Sequence, residues 1–160
     1  MPKPSISILI HEPRWKWRLR PYGKTVRTAC EAALAGLPRK GQTMEISVVL
    51  AGDDFIRQLN QQYRGKDKAT NVLSFPSGEL DAKNPASTLF LGDVILAFDT
   101  VAQEAAAQKK TFRDHATHLL VHGVLHLLGH DHETDAEAEA MEQYEIKILK
   151  KLGVKNPYLS

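Results

Sequence analysis

The chain has 160 residues, of which 42% are apolar and 25% are charged, and its formal net charge is +2. These values are ordinary for a globular protein, so we expect a single domain over residues 1–160. No apolar run approaches the roughly 20 residues of a membrane span, and the short apolar stretch SISILI lacks the cleavage site of a secretory signal. The single cysteine, Cys30, excludes an internal disulfide bond. Together these features predict a cytoplasmic protein with no membrane partner.

In chain order, the hydrophobic patterns predict strands that alternate with helices. Strands are expected at SISILIH, MEISVVLAG, NVLSF and TLFLGDVILAF, the last apolar on both faces as in the middle of a sheet. Helices are expected at residues 22–37, 54–64, 99–109, 112–128 and 135–152, with Asp53 and Asp135 as N-caps. We therefore predict an α+β fold, in which about five helices pack a small mixed four-stranded sheet.

Charge is unevenly distributed along the chain. Basic residues gather in RWKWRLR (Arg14 to Arg20) and in YRGKDK (Tyr63 to Lys68), whereas the C-terminal third is acidic. Such a chain can offer one basic face to a polyanion, but each patch is equally typical of an ordinary solvated surface. The net charge alone is too small to indicate nucleic-acid binding.

Four of the seven histidines lie in the eleven residues HGVLHLLGHDH, which begin at position 122. On a helix, His122 and His126 share a face about 6 Å apart, close enough to bind one ion. Gly129 is a natural helix stop, so the chain can turn there and bring His132 to the same ion. Three imidazoles leave one coordination position open, as in catalytic zinc sites. We therefore predict one zinc ion per chain, on a central helix and the turn that follows it.

The other histidines fit a role as ligands of this zinc ion less well. His118 precedes His122 by one turn, but a straight helix spreads the three residues over about 12 Å, so we interpret His118 as a core or supporting residue. His115 is expected on the surface. His130 competes with His132 as a candidate ligand.

The spacing of the three ligands and the glycine is that of a class of zinc proteases, H-E-x-x-H-x-x-G-x-x-H. Those proteases need a glutamate directly after the first histidine as the general base. Here Gly123 occupies that position. The spacing of the candidate metal ligands is retained, but the proton acceptor for peptide hydrolysis is missing.

The segment HGVLHLLGHDH resembles the signature of the bacterial YbeY family of rRNA-maturation endoribonucleases. YRGKDKATNVLSFP resembles the family's second signature block, LGDVILA its Gly-Asp strand, and NPY its usual ending. The resemblance covers roughly residues 59–158. His130 stands where tyrosine is usual and Ala69 where proline is common. Because the family usually has an aromatic residue where His130 stands, the resemblance implies that His130 is not a metal ligand.

This resemblance implies a zinc-dependent endoribonuclease, specific for single-stranded RNA, that acts in small-subunit rRNA maturation and late ribosome quality control. Its implied metal ligands are His122, His126 and His132, and its functional arginine is Arg64. Zinc and a guanidinium can both stabilise charge on phosphate oxygens, and the nucleophile is either an activated water or the neighbouring 2′-hydroxyl. We expect Lys66 and Lys68 to contact RNA, and the small ribosomal subunit and its assembly factors to be partners.

Two other functions remain open at this stage. One is a zinc-dependent hydrolase of another substrate, such as a peptidase, which Gly123 disfavours. The other is a non-catalytic ribosome assembly factor that uses zinc only for stability, which the open coordination position disfavours. Without the resemblance, Arg64 is better explained as a surface charge at the end of a helix.

Overall fold

The computed structural model describes residues 3–35, 41–80, 88–130 and 133–159. Four strands form one sheet: β1 (Ser5–Ile10), β2 (Thr43–Ala51), β3 (Val72–Pro76) and β4 (Thr88–Ala97). Six helices accompany it in these parts of the chain: α1 (Arg14–Arg18), α2 (Tyr22–Leu34), α3 (Asp53–Arg64), α4 (Phe98–Ala107), α5 (Phe112–Leu127) and α6 (Asp135–Lys151). The predicted α+β class is confirmed, and α1 is added to the five predicted helices.

The sheet is mixed, with the order β1-β2-β4-β3. Strand β2 pairs in parallel with both β1 and β4, while β3 pairs antiparallel with β4. Strand β4 therefore lies inside the sheet, as its apolar residues predict. Its side chains alternate between two cores, with Val94 and Leu96 in the larger cluster and Ile95 and Ala97 in the smaller one.

These two cores place the helices on opposite faces of the sheet. The larger core lies between the sheet and a helical layer that includes α2 and α5. The smaller core lies under α3, whose Ile56 packs with Leu73 and Ile95. Both faces of the sheet are therefore covered, which explains why β4 is apolar on both sides.

Helix α5 is the central helix of the fold. It contacts α2, α4 and α6 as well as β3 and β4, and most of its side chains are buried. Thr111 caps its first turn, because the threonine side chain accepts a hydrogen bond of 3.0 Å from the backbone N–H of Asp114. Within the described ranges, no helix combines the length and the apolar character that crossing a membrane requires.

Two predicted N-caps are wrong by one residue. Gly52 occupies the N-cap position of α3, and Asp53 is already helical. The Asp53 carboxylate instead accepts hydrogen bonds from the backbone N–H and the hydroxyl of Thr100, in the first turn of α4. Thr134, and not Asp135, caps α6 by accepting from the backbone N–H of Glu137. An aspartate is favourable both as an N-cap and within the first turn, so sequence alone did not separate the two positions.

The basic segment RWKWRLR forms α1, which the sequence patterns did not predict. Its two tryptophans differ: Trp15 is fully buried, whereas Trp17 is 71% exposed. The Trp15 ring packs against Phe98 and Phe112, and its indole N–H donates to the carbonyl of Ala51 at 2.8 Å. Trp15 and Leu19 of this basic segment are therefore part of the core.

Candidate metal centre

His122 and His126 lie together on the last two turns of α5. Their Nε2 atoms are 3.1 Å apart, and the His122 side chain is 23% exposed. Two zinc–nitrogen bonds of about 2.1 Å at a tetrahedral angle hold their nitrogens about 3.4 Å apart. The two imidazoles therefore converge on one point at a distance suited to a shared ion.

The chain reverses direction directly after His126. Gly129 has a φ of +92°, its N–H donates to the carbonyl of His126 at 3.1 Å, and the N–H of His130 donates to the carbonyl of Leu125 at 3.0 Å. These two bonds are the Schellman pattern that ends a helix with a left-handed glycine. The predicted turn at Gly129 is confirmed. His132, the third predicted ligand, lies outside the described residues, so its role stays a prediction.

Gly123 lies where α5 packs closely against the sheet. A Cβ atom built on this glycine would lie 2.7 Å from a methyl carbon of Val94 and 3.2 Å from the Ser74 hydroxyl oxygen. That hydroxyl donates a hydrogen bond of 2.8 Å to the carbonyl of Gly123. There is no space at this position for the glutamate of a zinc protease.

A buried carboxylate stands behind His122. Glu145 of α6 is fully buried, and it forms hydrogen bonds with Nδ1 of His122 and with the hydroxyl of Tyr158. Burial by itself raises the pKa of the Glu145 carboxyl. Hydrogen bonds with His118, His122 and Tyr158, together with attraction to His122, outweigh burial and lower the pKa to about 2. The carboxylate is therefore charged and enclosed by donors.

His118 belongs to the same group. Its Nε2 lies 3.5 Å from Glu145 Oε2 and 3.3 Å from the Tyr158 hydroxyl. One ligand atom from each of His118, His122 and Glu145 lies within 4.8 Å of the others, so these three residues also could hold a metal ion. The structure thus offers two candidate groups that share His122.

A cleft of about 600 Å³ opens beside His122 and His126. Arg64, at the end of α3, lines the cleft with Thr70, Asn71, Val72, Ser74, Pro76, Gly129, His130 and Glu133. Lys66 and Lys68 are exposed on the segment after α3, and neither is among the described residues that line the cleft. The fold therefore brings Arg64, but not the two lysines, to the predicted metal ligands.

His115 is buried, which corrects the expectation that it lies on the surface. It is 3% exposed, and its Nε2 lies 2.8 Å from Glu104 Oε1. The side-chain amide of Asn71 donates to the same oxygen at 2.9 Å. Burial lowers the pKa of His115, against the opposing effect of the Glu104 bond. This histidine is a neutral core residue at the other end of α5.

Sequence reasoning missed Glu145, which it counted among the acidic residues of the C-terminal third. A signal was present: Glu145 shares one face of α6 with the buried residues Met141, Ile148 and Leu149. Lysine, arginine, glutamate and aspartate are almost never fully buried unless they are paired. A glutamate in an apolar stripe therefore indicates a partner, although the sequence does not say which.

Comparisons with known proteins agree with the sequence resemblance. The family model described as "Endoribonuclease YbeY" matches residues 10–153. A relative from Bartonella henselae with the same description is 43% identical, covering 96% of both chains. Another, from Parvibaculum lavamentivorans, is 48% identical over 84% of this chain and 76% of its own length. A Thermotoga maritima protein solved in solution shares the fold, with a TM-score of 0.54 and 24% identity over 92% of this chain and 91% of its own.

Proposed function

This chain belongs to the YbeY family, and from that premise we propose that it is a zinc-dependent endoribonuclease that cleaves single-stranded RNA. We propose small-subunit rRNA maturation and late ribosome quality control as its role, in the cytoplasm, with the small subunit and its assembly factors as partners. We propose that residues 1–160 form a single domain that carries this activity. The observation that carries the proposal is the convergence of His122 and His126 in a cleft that Arg64 also lines.

The donor set fits zinc. One ion per chain is held by the imidazoles of His122, His126 and His132, and the described pair already has the spacing of two ligands of one ion. Imidazole nitrogens suit zinc, and three of them leave a position for substrate. We keep His130 outside the proposed ligand set; its ring contacts that of Tyr144, with the centroids 5.2 Å apart.

The residues of the cleft supply the rest of the chemistry. Bound zinc is a Lewis acid that stabilises charge on phosphate oxygens. Arg64 pairs with the same phosphate through its planar guanidinium, which donates two parallel hydrogen bonds and cannot lose its charge. Lys66 and Lys68, outside the cleft, attract the backbone of the RNA farther from the cleaved bond.

The two rival functions fit less well. A peptidase needs a base beside His122, and the methyl group of Val94 and the hydroxyl of Ser74 fill the space that its side chain would take. A structural zinc site is normally closed by four protein ligands, whereas His122 and His126 border an open cleft of about 600 Å³.

Metal analysis combined with RNA cleavage separates these functions. The purified protein should contain one equivalent of zinc and cleave single-stranded RNA, and it should lose cleavage on chelation and regain it when zinc is added back. His126→Ala should lose both metal and cleavage. Full cleavage by metal-free protein would overturn the proposal, and so would one equivalent of zinc without cleavage of any single-stranded RNA.

A further inference from the structure

Glu145 is a charged group in an apolar environment. It is fully buried on α6, on the same helical face as Met141 and Leu149. Removing a carboxylate from water costs several kcal/mol unless hydrogen bonds and opposite charges replace the lost hydration. Apolar residues of similar size would pack this face at no such cost, so the contacts of Glu145 indicate what it does.

The first of these contacts is with the inner nitrogen of His122. Glu145 Oε1 accepts from Nδ1 of His122, whose Nε2 faces Nε2 of His126. A neutral imidazole carries one proton, and a carboxylate at one nitrogen holds the proton there. The lone pair is thereby fixed on the other nitrogen, which is the one directed toward the predicted metal.

The second contact is with the C-terminal segment. Tyr158 donates its hydroxyl hydrogen to Oε2 of Glu145. Burial and the bond to Glu145 raise the pKa of this hydroxyl, so it remains a donor. The segment is tied down by Lys110, whose Nζ lies 3.4 Å from the carbonyl oxygen of Pro157. Tyr158 thus binds the carboxylate oxygen that His122 does not bind.

The same contacts argue against Glu145 as a metal ligand. Its two oxygens are already in direct hydrogen bonds, one with His122 and one with Tyr158. An ion shared by Glu145 and Nδ1 of His122 would take the place of the Nδ1 proton and so remove the first bond. The group of His118, His122 and Glu145 is therefore better explained as support for a ligand than as a second metal site.

We propose that Glu145 is a positioning residue that fixes the tautomer and orientation of His122 for zinc, and that Tyr158 holds Glu145 in place. This inference depends on the proposed metal site. Partners of this kind behind a ligating histidine are typically worth 10–100-fold in metal affinity.

Zinc affinity, measured by competition with a chromophoric chelator, is the first test. Glu145→Gln should bind zinc about 10–100-fold more weakly than wild type, and Tyr158→Phe should show a smaller loss in the same direction. Glu139→Gln removes the same charge from an exposed position of α6, and Tyr22→Phe removes a hydroxyl far along the chain. Both controls should keep wild-type affinity.

The tautomer itself is the second readout, and a purely structural role would not change it. Nitrogen-15 NMR of metal-free protein at pH 8 should show His122 protonated at Nδ1 in wild type. The folded Glu145→Gln variant should show a mixture of the two tautomers. If Glu145→Gln does not fold, Tyr158→Phe tests the same chain of contacts with a milder change.

The outcomes separate this inference from the proposed function. Unchanged zinc affinity in both variants would overturn the inference and leave the proposed function standing. Loss of zinc in Glu145→Gln and His118→Ala, with zinc retained in His126→Ala, would make Glu145 a ligand and overturn both. A wild type that binds no zinc would overturn the proposed metal site, while the tautomer measurement would still test the contact between Glu145 and His122.

Discussion

Helix α5 carries two histidine–carboxylate pairs in different surroundings. At its first turn, His115 pairs with Glu104 of α4, and 3% of its side chain is exposed. Two turns later, His122 pairs with Glu145 of α6, and 23% of its side chain is exposed. The two pairs share their chemistry, but only the second borders the cleft.

The difference lies in what surrounds each ring. One turn after His115 stands Leu119, which is buried in the core, whereas one turn after His122 stands a second imidazole, His126. Glu104 forms a hydrogen bond with Nε2 of His115. Glu145 forms one with Nδ1 of His122, so that Nε2 of His122 is directed toward His126. A buried pair of this kind stabilises a core, and it supports a metal site only where a second ligand and an opening accompany it.

The largest expected effect tests this contrast directly. His126→Ala should weaken zinc binding more than 100-fold, because removing a ligand should exceed the loss seen for supporting residues, and RNA cleavage should disappear with the metal. His115→Gln is the matched change in the other pair and should keep one equivalent of zinc. Elemental analysis of both variants makes the comparison. A full equivalent of tightly held zinc in His126→Ala would contradict the assignment.

The next largest effect is expected for a variant that loses Arg64 from the cleft but keeps its zinc. Arg64→Ala should lower single-turnover cleavage at saturating RNA by roughly 100–1,000-fold, the scale for one lost charge stabiliser in an active site. Zinc content and the melting temperature should remain near wild type, because Arg64 is exposed at the end of α3. Arg64→Lys should recover only part of the rate, since lysine lacks the planar fork. Wild-type turnover in Arg64→Ala would make this residue an ordinary surface charge.

A third, intermediate effect is expected at Gly123, directly after His122. Gly123→Ala places a methyl group 2.7 Å from a methyl carbon of Val94. Overpacking of this kind costs about 1–3 kcal/mol, of which the better helix propensity of alanine offsets about 1 kcal/mol. Urea denaturation of metal-free protein should show a net loss of stability. A gain in stability would mean that α5 can move away from the sheet.

The pair of His115 and Glu104 is expected to make the stability of the fold depend on pH. Burial depresses the pKa of His115 below its ordinary value of 6.5, so the unfolded chain binds a proton before the folded one does as the pH falls. The stability that neutral His115 provides is complete above pH 6.5 and declines as the pH falls from there to the folded pKa. His115→Gln, which can still donate to Glu104, should flatten this part of the stability curve of metal-free protein. An unchanged slope would show that His115 does not contribute.

The smallest effect is expected outside the cleft. Lys68→Ala should weaken RNA binding at low salt and lower the slope of log affinity against log salt by about 1, the value for one phosphate contact. Turnover at saturating RNA should be unchanged, in contrast to Arg64→Ala. Lys66→Ala should behave like Lys68→Ala. A turnover defect at saturation would place these lysines in the reaction itself.

Local patterns were sufficient to predict much of the fold and part of the site. The strands, five of the helices and the Gly129 turn follow from apolar periodicity and from one glycine at a helix end, which depend on neighbouring residues only. The convergence of His122 and His126 follows from helical geometry in the same way. The roles of Arg64 and His132 stay predictions, because the first needs a substrate and the second lies outside the described residues.

Apart from the two N-caps, the main features that sequence reasoning missed depend on distant contacts. The pair of Glu145 and His122 joins positions 23 apart, and the bond of Asn71 to Glu104 joins positions 33 apart. Helix α1 was missed for a related reason: its five residues are too few for a periodic signal, and the burial of Trp15 against Phe98 and Phe112 holds it in place.

The direction of α5 has an electrostatic consequence for the cleft. Aligned peptide dipoles leave about half a negative charge at the C-terminal end of a helix, and His126 and Gly129 line the cleft at that end, together with the acidic residue Glu133. This field attracts a cation and repels a phosphate, while Arg64 opposes it from the end of α3. In the proposed function, a bound divalent ion would reverse the sign of this field, so the metal would bind before the polyanion.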